Sequence, residues 1–95
     1  MTNHEAKIEQ LQRLILDASR EAYPDDLVSA PGGELLRQAA RITGDRPYPF
    51  GGQQLFYDAL SRLAERNLID VNRGTGGAFI ARLTDDGVRV VSAST

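Results

Sequence analysis

Residues 58–83 read DALSRLAERNLIDVNRGTGGAFIARL, and a change of period inside this stretch decides the fold. Up to Arg66 the apolar side chains recur at helical steps, and Phe56, Ala59, Leu60 and Leu63 fall on one face. Asn67 then tolerates the left-handed conformation that stops a helix. Beyond it the period becomes two. LIDV (Leu68–Val71) and AFIARL (Ala78–Leu83) read as strands, with Phe79, Ala81 and Leu83 on one side and Ile80 and Arg82 on the other. Between them lies Asn-Arg-Gly-Thr-Gly-Gly, where three glycines in six residues permit the positive φ values of a hairpin loop. A helix over about Gln53–Arg66 therefore runs straight into a β-hairpin.

Working outward, Thr84 reads as an N-cap, with Asp85 and Asp86 in the first turn of a short helix to about Val91. On the other side, DRPYPFGG (Asp45–Gly52) is broken by proline and glycine and separates the helix from one before it. That earlier helix runs from about Glu34 to Thr43, with Leu35, Leu36, Ala39, Ala40 and Ile42 inside and Gly44 as a left-handed C-cap. Residues from about Glu5 to Ala22 form a longer amphipathic helix through Ile8, Leu11, Leu14, Ile15, Ala18 and Ala22. Pro24 ends it, because the residue before a proline is pushed out of the α region. The loop Pro24–Gly33 carries Leu27 and Val28, which are expected to tuck into the core as a very short strand.

The chain has 95 residues, enough for one domain and one modest core, so a single domain over 1–95 is expected. Cysteine is absent, which excludes disulfides, thiolate metal sites and cysteine nucleophiles. His4 is the sole histidine, so neither a histidine base nor a multi-histidine metal site can be assembled. No apolar run approaches a membrane span, and the polar start MTNHEAKIEQ is unlike a secretory signal. The expectation is a cytoplasmic protein, not an enzyme, with no cofactor and no metal. GTGG lacks the Gly-Lys-Ser/Thr that a P-loop requires, and reads as a hairpin loop. The Asp25–Asp26 and Asp85–Asp86 pairs read as a solvated turn and a helix start, not as Mg²⁺ ligands.

The resulting class is α+β: a three-helix bundle, a β-hairpin and a short C-terminal helix. The second and third helices form a helix-turn-helix, and the glycine-rich hairpin after them is a wing. ALSRLAERNLID (Ala59–Asp70) resembles the end of the recognition helix in winged-helix regulators, and ARLTDDGVRVV (Ala81–Val91) resembles their closing segment. With LILDASREA and ELLRQAARITG upstream, the layout looks most like the small ArsR-like winged-helix proteins of Mu-like phages and prophages. The resemblance implies double-stranded DNA binding and transcription regulation, with the third helix in the major groove and the wing near the backbone or minor groove.

Net charge is −2, which does not favour phosphate binding, but its distribution is uneven. Between Glu34 and Arg82, seven arginines face five acids, while the excess acid lies outside that stretch. On the third helix, Gln53, Gln54, Tyr57, Ser61 and Arg62 lie opposite the apolar face, with Asp58 among them. Amide and guanidinium groups suit base edges; hydroxyls suit phosphates. Arg73 at the wing tip either reaches a phosphate or is an ordinary turn residue. Arg37 and Arg41, four apart, either clamp backbone phosphates or leave Arg37 paired with Glu34. Tyr48 and Phe50 either stack on a base or, as the better reading, pack at the start of the third helix. The alternative function is a protein-binding adaptor on the same scaffold, which the acidic balance favours. On the DNA-binding reading a homodimer is expected, because one winged helix offers little interface, with the long first helix or its N-terminal extension as the dimer element.

Overall fold

The computed structural model describes residues 3–30, 33–44, 54–74 and 78–93. Four helices and three strands follow in the order α1 (Asn3–Ala22), β1 (Leu27–Ser29), α2 (Glu34–Thr43), α3 (Gln54–Glu65), β2 (Ile69–Arg73), β3 (Phe79–Leu83) and α4 (Asp85–Ala93). The strands make one antiparallel sheet in the order β1-β3-β2. Helix α1 is the hub, packing against the other three helices and against β1 and β3. Residues 45–53, which hold Gln53, Tyr48 and Phe50, lie outside the described residues.

The core forms where the helical stripes meet the inner face of the sheet. Leu11 and Ile15 of α1, Leu36 of α2, Phe56, Leu60 and Leu63 of α3, and Phe79 of β3 are all buried in one cluster. Leu14, expected among them, is only half-buried and packs on the cluster's edge. Phe56 and Phe79 meet with ring centroids 5.8 Å apart, so an aromatic contact joins α3 to the hairpin.

The joints follow local chemistry. Asn67 has φ 60°. Its N–H donates to the Ala64 carbonyl and the Leu68 N–H to the Leu63 carbonyl, both at 3.0 Å, the paired bonds of a Schellman end. Gly44 closes α2 at φ 78°. Lys7 Nζ also donates to the Thr43 carbonyl at 3.1 Å, where a cation suits the negative end of the helix. Thr84 caps α4: its hydroxyl accepts the Gly87 N–H at 3.0 Å and donates to the Asn67 carbonyl. One threonine thereby ties α4 to the end of α3.

The sheet departs from expectation in two places. Leu27 does enter a short strand, which makes the sheet three-stranded, but Val28 does not enter the core and is 70% exposed. Side chains alternate across a strand, and because Leu27 and Ser29 turn inward, Val28 turns out beside its partner Ile80. The second departure is β2, which begins at Ile69 and runs on to Arg73. Leu68 is consumed by the helix stop, and Arg73 is a strand residue paired with Phe79 instead of a free loop tip. Among the described residues, no helix is long and apolar enough to cross a membrane.

Candidate functional site

Ile69, Val71 and Arg73 of β2 pair with Leu83, Ala81 and Phe79 of β3, three residues that face the helices. Directly opposed residues of an antiparallel pair share a face of the sheet. Arg73 is therefore aimed at α3. Its guanidinium carbon lies 5.2 Å from the centroid of the Tyr57 ring, and its Nη2 donates to Ser61 Oγ at 3.3 Å. Tyr57 in turn meets Phe56 edge-on at 5.5 Å, which connects the surface cluster to the core. Burial pushes the Tyr57 phenol above its ordinary pKa of 10.0, against the opposing charge of Arg73. At neutral pH it is an uncharged hydroxyl beside a fixed cation.

The rest of the α3 surface divides by helical position. Gln54, Asp58, Ser61 and Glu65 recur at four- and three-residue steps and make the outermost ridge. The Gln54 amide donates to Asp58 Oδ1 at 2.9 Å. Tyr57 flanks this ridge on the side of the hairpin. Arg62 flanks it on the other side, and its two terminal nitrogens donate to the two carboxylate oxygens of Glu5 at 2.9 and 3.0 Å. This fork-to-fork bond holds the Glu5 carboxyl below its usual range and raises Arg62 further. A depressed carboxyl keeps such a pair intact at neutral pH and loses it only as pH falls through the folded value. Next along the same flank, Arg66 donates to Gln12 Oε1 at 2.9 Å.

The structure thus brings together Tyr57, Ser61 and Arg73, with Gln54 one turn away on the ridge. It does not bring Arg62 with them: that guanidinium is turned toward α1. The reason is long-range, since Glu5 is 57 residues away in sequence and no local pattern announces it. Arg37 lies 3.9 Å from Glu34, the three-residue pair, and both side chains are exposed. Arg41 is exposed and has no ion-pair partner among the described residues. Neither bonds to the Tyr57 cluster. One aspartate of each acidic pair is engaged within the fold: Asp26 pairs with Arg82 at 2.9 Å, and Asp86 accepts from Arg89 and Asn67.

Chemically, the cluster offers one cation and two hydroxyls in contiguous space, a set that hydrogen-bonds oxyanions. It is bordered by Asp58 and Glu65, so the positive field is local and does not extend along the helix. No family model matches the chain, and no curated protein matches it either.

Proposed function

We propose that this chain is a winged-helix domain that binds double-stranded DNA as a transcription regulator of phage or bacterial type, acting in the cytoplasm. Helix α3 would enter the major groove, and the β2–β3 hairpin would be the wing beside it. The observation that carries the reading is the Tyr57–Ser61–Arg73 cluster at the junction of α3 and β2. An arginine with two adjacent hydroxyls is suited to a backbone phosphate. Gln54 on the ridge, with Gln53 before it, is the group suited to a base edge. Arg37 and Arg41 on α2 would be additional phosphate contacts. This reading involves no catalysis, cofactor or metal.

The cluster and the amide have separable roles. Arg73→Ala should weaken binding to all duplexes alike and lower the slope of log affinity against log salt by about one. Gln54→Ala should relax preference at one base pair, by about 1–3 kcal/mol where the amide reads an adenine. Competition binding on specific and scrambled duplexes checks both. A wild type that binds while neither variant changes affinity places the interface elsewhere.

Glu5 supplies a third arm. Its carboxylate occupies the groups of Arg62 that a phosphate would use. Glu5→Gln removes the charge and frees the guanidinium, so duplex affinity should rise and the salt slope steepen by about one. Thermal stability should barely move, because exposed ion pairs contribute little. Unchanged affinity and slope in this variant would show that Arg62 plays no part in binding.

A second reading, a protein-binding module on the same scaffold, draws on Asp58 and Glu65. Two acids on the outermost ridge of α3 repel phosphate and suit a basic or neutral partner.

A further inference from the structure

Gln54 and Asp58 follow one another along the α3 ridge, one helical turn apart, and they are joined: the Gln54 amide donates to Asp58 Oδ1 at 2.9 Å. The bond takes one of the amide's two N–H groups and turns its nitrogen toward Asp58. Among the described residues, Gln54 Oε1, the second N–H and Asp58 Oδ2 remain open. Arg62, four residues beyond Asp58, is the cation that helical spacing sets beside this carboxylate. It is committed to Glu5 instead, through both terminal nitrogens. Asp58, half-buried on the ridge, therefore makes no ion pair with the described residues.

We infer, on the premise that α3 enters the major groove, that Asp58 determines sequence specificity: it orients the Gln54 amide toward adenine and itself accepts from the amino group of a cytosine. Because the amide nitrogen faces Asp58, the pair presents an acceptor (Gln54 Oε1), a donor (Gln54 Nε2) and an acceptor (Asp58 Oδ2) in order along the ridge. Adenine offers its N7 acceptor and N6 amino donor in the major groove, which an amide meets with one N–H and its oxygen. Cytosine offers the N4 amino donor, which a carboxylate accepts. Guanine offers two acceptors, N7 and O6, and thymine offers O4 and a methyl group. A carboxylate repels those acceptors, so Asp58 selects against both bases on the strand it faces.

Position along the helix agrees with this role. The N-terminal residues of a recognition helix reach base edges, and Gln54 and Asp58 fall in the first two turns of α3, whereas Glu65 is its last residue. Four residues of helix rise about 6 Å, against about 3.4 Å per base step, so the adenine and the cytosine lie within two steps of each other. The carboxylate acts on affinity and on selectivity with opposite sign. It repels phosphates, which weakens binding to every duplex. It also sets an acceptor against an acceptor at the wrong base pair, which weakens binding there further.

Selection from a pool of random duplexes at low salt, with sequencing of the bound fraction, reads both effects. Wild type should enrich an A·T and a C·G pair within two steps of each other. Asp58→Asn keeps an oxygen to accept the Gln54 N–H but turns its own N–H groups to the DNA. The adenine preference should then stay, while the cytosine preference falls by roughly tenfold. Asp58→Ala frees the amide as well, so both preferences should fall. Each variant also loses a negative charge and should bind scrambled duplex more tightly than wild type, which a role confined to helix stability would not produce. Circular dichroism checks that the variants keep their helical content. A wild type that binds duplexes without preferring adenine and cytosine, or variants that keep the cytosine preference, would overturn the role of Asp58 and leave DNA binding standing. A wild type that enriches no duplex would remove DNA binding itself, and this role with it.

Discussion

Gly87→Ala should destabilise this fold by about 3 kcal/mol, the upper part of the range for forcing atoms into a packed site. Helix propensity predicts the opposite sign, since alanine is favoured over glycine by about 1 kcal/mol in a helix. The clash decides. A Cβ at this position would sit 2.0 Å from the Leu68 carbonyl oxygen and 3.0 Å from Leu83 Cδ2. The leucine side chain can move, but the carbonyl cannot. It accepts the Thr84 N–H at 3.1 Å, and Leu68 itself is held by the Schellman bonds that end α3. Making room means lifting α4 off the α3–β2 corner and breaking the cap that Thr84 makes to both. Thermal unfolding followed by circular dichroism reads this directly, and an alanine variant as stable as wild type would show that the helix and the corner are not in contact.

Leu60→Ala should cost about 2–5 kcal/mol, the lost transfer energy of the side chain plus that of the cavity it leaves. Leu60 is buried at the centre of α3, between α1 and the hairpin, where neighbours cannot close around a missing isobutyl group. Set against the 5–15 kcal/mol of a typical domain, the upper value leaves little. A fall in Tm of roughly 10 °C or more is expected at this chain length. A shift of a degree or two would mean that this helix presents a different face to the core.

Both expectations rest on features of different legibility. The inner face of α3, the Asn67 stop and the Thr84 cap are readable because each is set by residues within a few positions of one another. The bounds of α2 and its Gly44 stop are legible for the same reason, but its inner face is only partly so: Leu36 and Ala39 are buried as expected, Leu35, Ala40 and Ile42 are half-buried, and Thr43 is buried in the last turn. What the sequence hides is decided at a distance. Whether Val28 or Ser29 faces inward depends on the register of β1 against β3, and a three-residue strand has too few alternations to declare it. Ser19 is fully buried although it is polar, and its hydroxyl has no hydrogen-bond partner among the described residues, so propensity would place it outside.

The candidate site shows the same division. That Gln54, Tyr57, Ser61 and Arg62 lie away from the Phe56–Leu60–Leu63 face follows from helical spacing. Which of them share a surface does not. Arg62 is drawn to Glu5 across the bundle, while Arg73 turns back on Tyr57 because its strand is longer than the glycine-rich loop suggests. The charge balance of the exposed surface changes accordingly. One arginine is neutralised, one is fixed at the edge of the ridge, and Asp58 and Glu65 stand between them.

That balance makes salt the decisive variable for the central claim, that α3 and the β2–β3 hairpin bind duplex DNA. Titrating the wild-type chain with fragments of double-stranded DNA at two ionic strengths measures affinity and counterion release together. Binding at low salt that weakens as salt rises, with a shallow slope set by few phosphate contacts, is the predicted result. No binding to any duplex at low salt would contradict it, and would leave the α3 ridge, with its two acids, as a surface for a protein partner.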